Sequence, residues 1–187
     1  ESFEDEGVCF FSVEAVISLG RFFAEGQPTF TKILTVIDKQ GQTRIVEALI
    51  GTPVGHILGS LGIDIEDRDR IVAGGPMRGS AVYSTDYPVT GVTNGIVVQA
   101  SDRLPLVSDY PCVNCGECVR ICPARMPVSM LVRYLEAGLY DEAADDYDLY
   151  SCVKCGLCSY VCVAHIPIFQ YIRLAQYELN RRQVGAV

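Results

Sequence analysis

No apolar run in this sequence approaches the roughly 18 to 20 residues that cross a bilayer. The nearest, Val8 to Leu19, is short and contains Glu14, so no direct membrane span is expected. Basic residues are scarce: 15 Lys and Arg stand against 23 Asp and Glu, a formal charge of −8. A surface of that sign disfavours nucleic acid and anionic lipid as partners. Nothing has the pattern of a secretion signal, which weighs against a disulfide framework. Nucleotide fingerprints are missing too. Gly51, Gly55, Gly59 and Gly62 space as G-x3-G-x3-G-x2-G, which matches neither the Rossmann fingerprint nor a P-loop. Close packing of a helix on a sheet is the expected reason for them. What remains, 49% apolar and 20% charged over 187 residues, is ordinary globular material for one or two domains.

Against that background the cysteines stand out. Eight of the nine fall into two runs, Cys112, Cys115, Cys118, Cys122 followed by Pro123, and Cys152, Cys155, Cys158, Cys162 followed by Val163. This is the ligand spacing of a pair of 4Fe-4S clusters. Each C-x2-C-x2-C supplies three thiolates from one tight loop, and the fourth comes from elsewhere. In two-cluster ferredoxins the last cysteine of each run ligates the other cluster. Cluster I is then expected on Cys112, Cys115, Cys118 and Cys162, and cluster II on Cys152, Cys155, Cys158 and Cys122. Gly116 and Gly156 match each other and allow each loop to fold tightly. Val163 breaks the proline exit without removing a ligand. Each oxidised cluster on four thiolates adds about −2, taking the loaded chain to roughly −12. The competing readings are disulfides, for which the loops are very short, and structural zinc, which pairs two C-x2-C knuckles across a longer gap. Cys9, alone between Val8 and Phe10, reads as a small buried hydrophobe.

The organisation is mixed. A helix is predicted from Ser12 to Glu25, with Ser12 as N-cap, Gly26 past its end and Leu19, Phe22 and Phe23 on its sticky face. It reads as the last helix of a domain lying upstream, or as a core helix. Lys32–Asp38 and Arg44–Leu49 flank a turn with Gly41 and read as a β-hairpin. Thr52 caps a predicted helix from Val54 to Leu61, with Pro53 at its first position. Ile71–Ala73, Ala81–Tyr83 and Gly95–Gln99 are further short strands. The sum is an α+β unit of the β-grasp kind. Gly74 to Gly79 is either a tight turn between strands or a loop that approaches a cofactor or neighbour.

After Pro105 and Pro111 the cysteine-rich part begins. The 29 residues between the runs read as two helices, Pro127–Ala137 and Tyr140–Tyr147, and a third follows from Pro167 to Arg182. Ile168, Tyr171, Ile172, Ala175 and Leu179 form its buried stripe, with Arg173, Arg181 and Arg182 mostly solvated. Pro127 and Pro167 each stand five residues past a fourth cysteine, so the repeat extends beyond the ligands and the ferredoxin is of the helical type. His165, near Cys162, reads as a partly exposed loop residue. Arg120 and Lys154, beside ligands, either raise cluster potentials slightly or are solvated.

The order Gly51-Thr52-Pro53, Gly74-Gly75-Pro76-Met77, Pro88-Val89-Thr90, Thr93-Asn94 and two C-x2-C-G-x-C-x3-C runs resembles the C subunit of Rnf complexes, the ion-translocating ferredoxin:NAD oxidoreductases. The likeness covers nearly the whole chain; Val163 and a short C-terminus are minor departures. The resemblance implies three parts: residues 1–28 as the tail of a flavin domain, 29–105 as an SLBB-like β-grasp domain, and 106–187 as a helical dicluster ferredoxin. It also implies electron transport on the cytoplasmic side of the cell membrane, in a peripheral subunit of an ion-transporting translocase. Single electrons would pass between an upstream FMN, fed by NAD(H), and partner iron-sulfur subunits. Because the FMN- and NAD-binding part is missing from the sequence, this chain is not expected to oxidise NADH alone, and none of its residues is expected to be catalytic. A cobalamin reductase of the same domain order is an alternative. So is a dicluster module of fumarate or heterodisulfide reductases, which lacks the preceding SLBB-like part, and so is a zinc-stabilised interaction module.

Overall fold

The computed structural model describes residues 7–104, 107 and 110–184. The acidic opening at 1–6 and the expected domain boundary at 105/106, with Pro105, lie outside the described residues. By density of contact the chain forms two compact units, one comprising the chain to Asp64 with Tyr83–Ile96, the other Ile65–Val82 with Val97 onward.

Helix α1 runs from Val13 to Glu25 and has the caps its sequence predicts. The Ser12 hydroxyl accepts from the Ala15 N–H at 3.2 Å, and Gly26 closes the other end in the left-handed conformation. None of its side chains is buried. Cys9, just before it, is exposed rather than buried, because neither α1 nor the segment leading into it contributes to the core. Strands β1 (Thr31–Ile37) and β2 (Thr43–Leu49) pair antiparallel, Thr31 opposite Leu49 and Ile37 opposite Thr43. Asp38 organises their turn by accepting from the N–H groups of Gln40 and Gln42 at 2.9 and 2.8 Å. The inward side of β1 carries Leu34 and Val36 with Lys32, whose ammonium pairs with Glu14. A buried lysine needs such a partner, because an unpaired ammonium pays the full cost of desolvation.

Helix α2 (Val54–Ser60) departs from its sequence reading. Pro53 is the N-cap and no side chain caps the helix, so Thr52 does not play that part. The first amides find backbone acceptors instead, Val54 N–H to the Tyr87 carbonyl and Gly55 N–H to that of Thr85, at 2.9 and 2.7 Å. Those bonds draw α2 against the 85–89 segment so closely that a Cβ on Gly55 would stand 2.9 Å from that of Thr85. Close packing therefore explains Gly55 alone, and against a loop rather than a sheet. Gly51 and Gly62 have positive φ, and Gly59 faces open space.

Strands β3 (Arg70–Ala73) and β4 (Ser80–Val82) form a second antiparallel hairpin around Gly74–Gly79, and β5 spans Gly95–Gln99. The five strands are hydrogen-bonded in the order β2-β1-β5-β3-β4, which makes the fold α+β.

The cysteine-rich part is helical, as expected, with two short helices that the sequence did not announce. These are α3 (Glu117–Arg120) and α6 (Leu157–Tyr160), one inside each cysteine run. Helices α4 (Val128–Glu136), α5 (Tyr140–Asp145) and α7 (Ile168–Val184) complete it. Their core is Leu131, Val132, Leu135, Ala143, Leu149, Ile168, Ile172, Ala175 and Leu179. Each fully buried aliphatic side chain contributes about 1.5–3 kcal/mol. Tyr171 is only half-buried, whereas Phe169 and Gln176 are buried. Gln176 is tolerated there because its Nε2 donates to the Leu149 carbonyl at 3.1 Å.

Candidate metal centres

The two cysteine runs fold alike residue by residue at an offset of 40. Asn114 and Lys154 have φ of 57° and 56°, Gly116 and Gly156 of 77° and 78°, and Arg125 and His165 both of 54°. Left-handed residues two apart curl each loop and turn successive N–H groups inward, a concavity that favours anionic ligands. Glycine takes that conformation freely, while Lys154, Arg125 and His165 hold it at roughly 1–2 kcal/mol each. Arg125 and His165 then tie back to the fourth cysteines, their N–H groups donating to the Cys122 and Cys162 carbonyls at 3.1 and 3.0 Å. Pro127 and Pro167 follow, leading into α4 and α7.

Two cavities result. The first, about 380 Å³ including its open mouth, is lined by Cys112, Cys115, Cys118 and Cys162, with Val113, Ser129, Val132, Val163 and Ile168 among its walls. The second, about 340 Å³, is lined by Cys152, Cys155, Cys158 and Cys122, with Met126, Val128, Phe169 and Ile172. Each gathers three thiols of one run and the last thiol of the other. All nine cysteines are free of disulfides. Among the described residues no three His, Cys, Asp or Glu side chains converge tightly enough for one metal ion. The thiols instead ring a cavity in each case, an arrangement in keeping with a multi-iron cubane.

Burial is the main electrostatic influence on these thiols. It pushes Cys158 up to about 11 and also raises Cys118 and Cys152. Neighbouring thiols add to this: Cys112 and Cys115 raise Cys118, and Cys155 and Cys122 raise Cys152. The influence of Cys122 on Cys152 is a second sign that the two runs meet. Without metal these groups stay protonated at neutral pH, so ligation must displace protons.

The remaining expected residues separate cleanly. Arg120 pairs with Glu117 and donates to the Cys115 carbonyl at 3.2 Å, so its charge is locally balanced. Lys154 and His165 are exposed. The Gly74–Gly79 segment is the expected turn between strands, and it also lies against the second cysteine run. It joins β3 to β4, and its Met77 carbonyl lies where a Cβ on Gly156 would come within 2.6 Å. Gly116 has only the end of Arg120 nearby, at 3.6 Å. Sequence reasoning missed Ser129 and Phe169, which occupy one register of the repeat and line opposite cavities. Laying 127–132 over 167–172 would have found them.

Comparison with known proteins agrees with this geometry. Residues 111–167 match the 4Fe-4S dicluster domain family. The chain is 32% identical over 140 residues to the C subunit of the ion-translocating oxidoreductase complex of Edwardsiella ictaluri, covering 73% of this chain and 18% of that protein. It is 34% identical over 123 residues to the protein of that name in Rhodobacter capsulatus, covering 64% and 23%. To the C subunit of the Na(+)-translocating ferredoxin:NAD(+) oxidoreductase complex of Acetobacterium woodii it is 27% identical over 139 residues, covering 74% and 31%. The chain thus spans less than a third of the length of these curated relatives. No described helix is long and apolar enough to cross a membrane. With a dicluster domain built for two 4Fe-4S clusters and these likenesses over most of its length, the chain is an RnfC-like region.

Proposed function

We propose that this chain is the iron-sulfur relay of an ion-translocating oxidoreductase complex. The observation that carries the reading is the pair of cavities, each ringed by three thiols of one run and one of the other. Cys112, Cys115, Cys118 and Cys162 hold cluster I, and Cys152, Cys155, Cys158 and Cys122 hold cluster II. A bound 4Fe-4S cluster supplies one-electron chemistry. The chain's own part is to supply thiolates, curl backbone N–H groups toward the cluster sulfurs and wall the site with apolar side chains that limit water.

In this reading residues 106–187 are the ferredoxin, 29–105 an SLBB-like β-grasp domain supported by the sheet and α2, and 1–28 the tail of a flavin domain. FMN and NAD(H) belong to chain preceding these residues, in keeping with the greater length of the relatives. Single electrons pass between that flavin and partner iron-sulfur subunits, at the cytoplasmic face of the cell membrane. The test is anaerobic purification of the chain. About eight iron and eight labile sulfide per chain, with a reduced-state EPR signal from coupled clusters, are expected. A colourless protein with two zinc and no iron would sink the relay and leave a zinc-stabilised interaction module.

A further inference from the structure

The two cavities are equivalent in their thiols and differ at particular positions of their linings. At one register of the 40-residue repeat the first cavity has Ser129 and the second has Phe169. Ser129 lies in the first turn of α4, and its hydroxyl and its N–H have no partner among the described residues. The Phe169 N–H is already satisfied by the Ser159 hydroxyl at 2.8 Å, and its ring offers no donor. The position of Ser159 is held by Val119 in the first run, so Ser129 has no such cap.

Cover differs in the same sense. Around the first cavity Cys115 is exposed and Gly116 half-buried. In the second run Cys155 is half-covered and Gly156 is buried, with the Met77 carbonyl against it. The turn bearing Met77 is held by Arg173, whose guanidinium donates to the Gly79 carbonyl at 3.3 Å. Gly79 fits only as glycine, since a Cβ would meet Val72 at 2.5 Å and the Gly75 carbonyl at 2.7 Å.

Hydrogen bonds to cluster sulfur and access of solvent both stabilise the more negative, reduced state and so raise the potential. From these two asymmetries we propose that Ser129 donates an O–H···S hydrogen bond to cluster I, and that cluster I is the higher-potential member of the pair. The first electron added to the loaded chain therefore rests on cluster I, while cluster II, behind Phe169 and Met77, is reduced second. This rests on the relay reading above, with Ser129 as a tuning residue rather than a ligand.

An EPR-monitored redox titration of the anaerobically purified chain tests it, on wild type and on Ser129→Ala, Ser129→Val and Ser129→Thr. Two reduction waves are expected in the wild type. In the Ala and Val variants the higher wave shifts to more negative potential while the lower one stays, and Thr, which keeps the hydroxyl, restores the wild-type value. Movement of the lower wave instead, or no movement in variants that carry the full iron content, overturns the proposal. If Ser129→Ala loads poorly, the Thr and Val pair decides, being matched in shape and differing in the donor. Absence of iron from the wild type would be failure of the relay reading itself, and that outcome is separable by metal analysis.

Discussion

Arg133 and Arg173 occupy the same place in the two halves of the repeat, yet they hold different things. Arg133 donates to the Asn114 side chain, whose Oδ1 also lies 3.8 Å from the Cys112 sulfur, so it steadies the cysteine loop of its own half. Arg173 reaches across 94 residues of sequence to the Gly79 carbonyl, and with the ring of Phe169 beneath it fixes a turn from another part of the chain. One run is braced from within and left open. The other is roofed by a distant hairpin. A duplicated ligand frame can thus be kept rigid at the backbone, down to one degree of φ, while the surroundings that set cluster properties diverge.

The largest test of this comparison concerns the crossing. Cys122→Ala is expected to halve the iron content to about four per chain, and the lost cluster is the one in the second cavity although the change lies in the first run. Alkylation followed by mass spectrometry reads this directly. Cys152, Cys155 and Cys158 should become reactive while Cys112, Cys115 and Cys118 stay protected, and Cys162→Ala should give the mirror pattern. Reactivity confined to the run that carries the substitution would break the pairing.

Next in size is the roof. Gly116→Ala meets only its positive φ and should cost about 1 kcal/mol in chemical denaturation. Gly156→Ala meets the same φ and must also displace the Met77 carbonyl, for a total of roughly 2–4 kcal/mol once overpacking is added. Equal losses at the two positions would mean that the turn does not press on the second loop.

The smallest effect is at the exits. Val163 is exposed, and its N–H has no acceptor among the described residues, as Pro123 needs none. Val163→Pro should therefore be tolerated and should stabilise by about 0.4–1 kcal/mol, through the unfolded chain. A loss of iron in that variant would show that the two exits differ in conformation after all.

How far the residues announced this structure varies by region. The caps of α1, both hairpins, β5 and the long helices were legible, because Ser12, Gly26, Gly41, Pro127, Gly138 and Pro167 act locally through conformational preferences of one residue. The start of α2 was not. Its first amides are taken by carbonyls about thirty residues away, which left Thr52 no orphan donor to cap. Burial misled at Cys9 for a related reason. An apolar residue type predicts an average environment, and here α1 and the residues before it bury nothing. The short helices within the runs were hidden because four residues carry no periodic signal.

The sequence by itself determined the cofactor class and the duplicated frame: thiol spacing, the left-handed glycines and the prolines are local chemistry, repeated at an offset of 40. The crossed sharing of thiols was already expected from the spacing of the two runs, whereas tertiary structure alone decided that Ser129 and Phe169 line different cavities and that Met77 covers only one loop. Those outcomes depend on groups far apart in sequence meeting at close range, and no local preference encodes the distance between them.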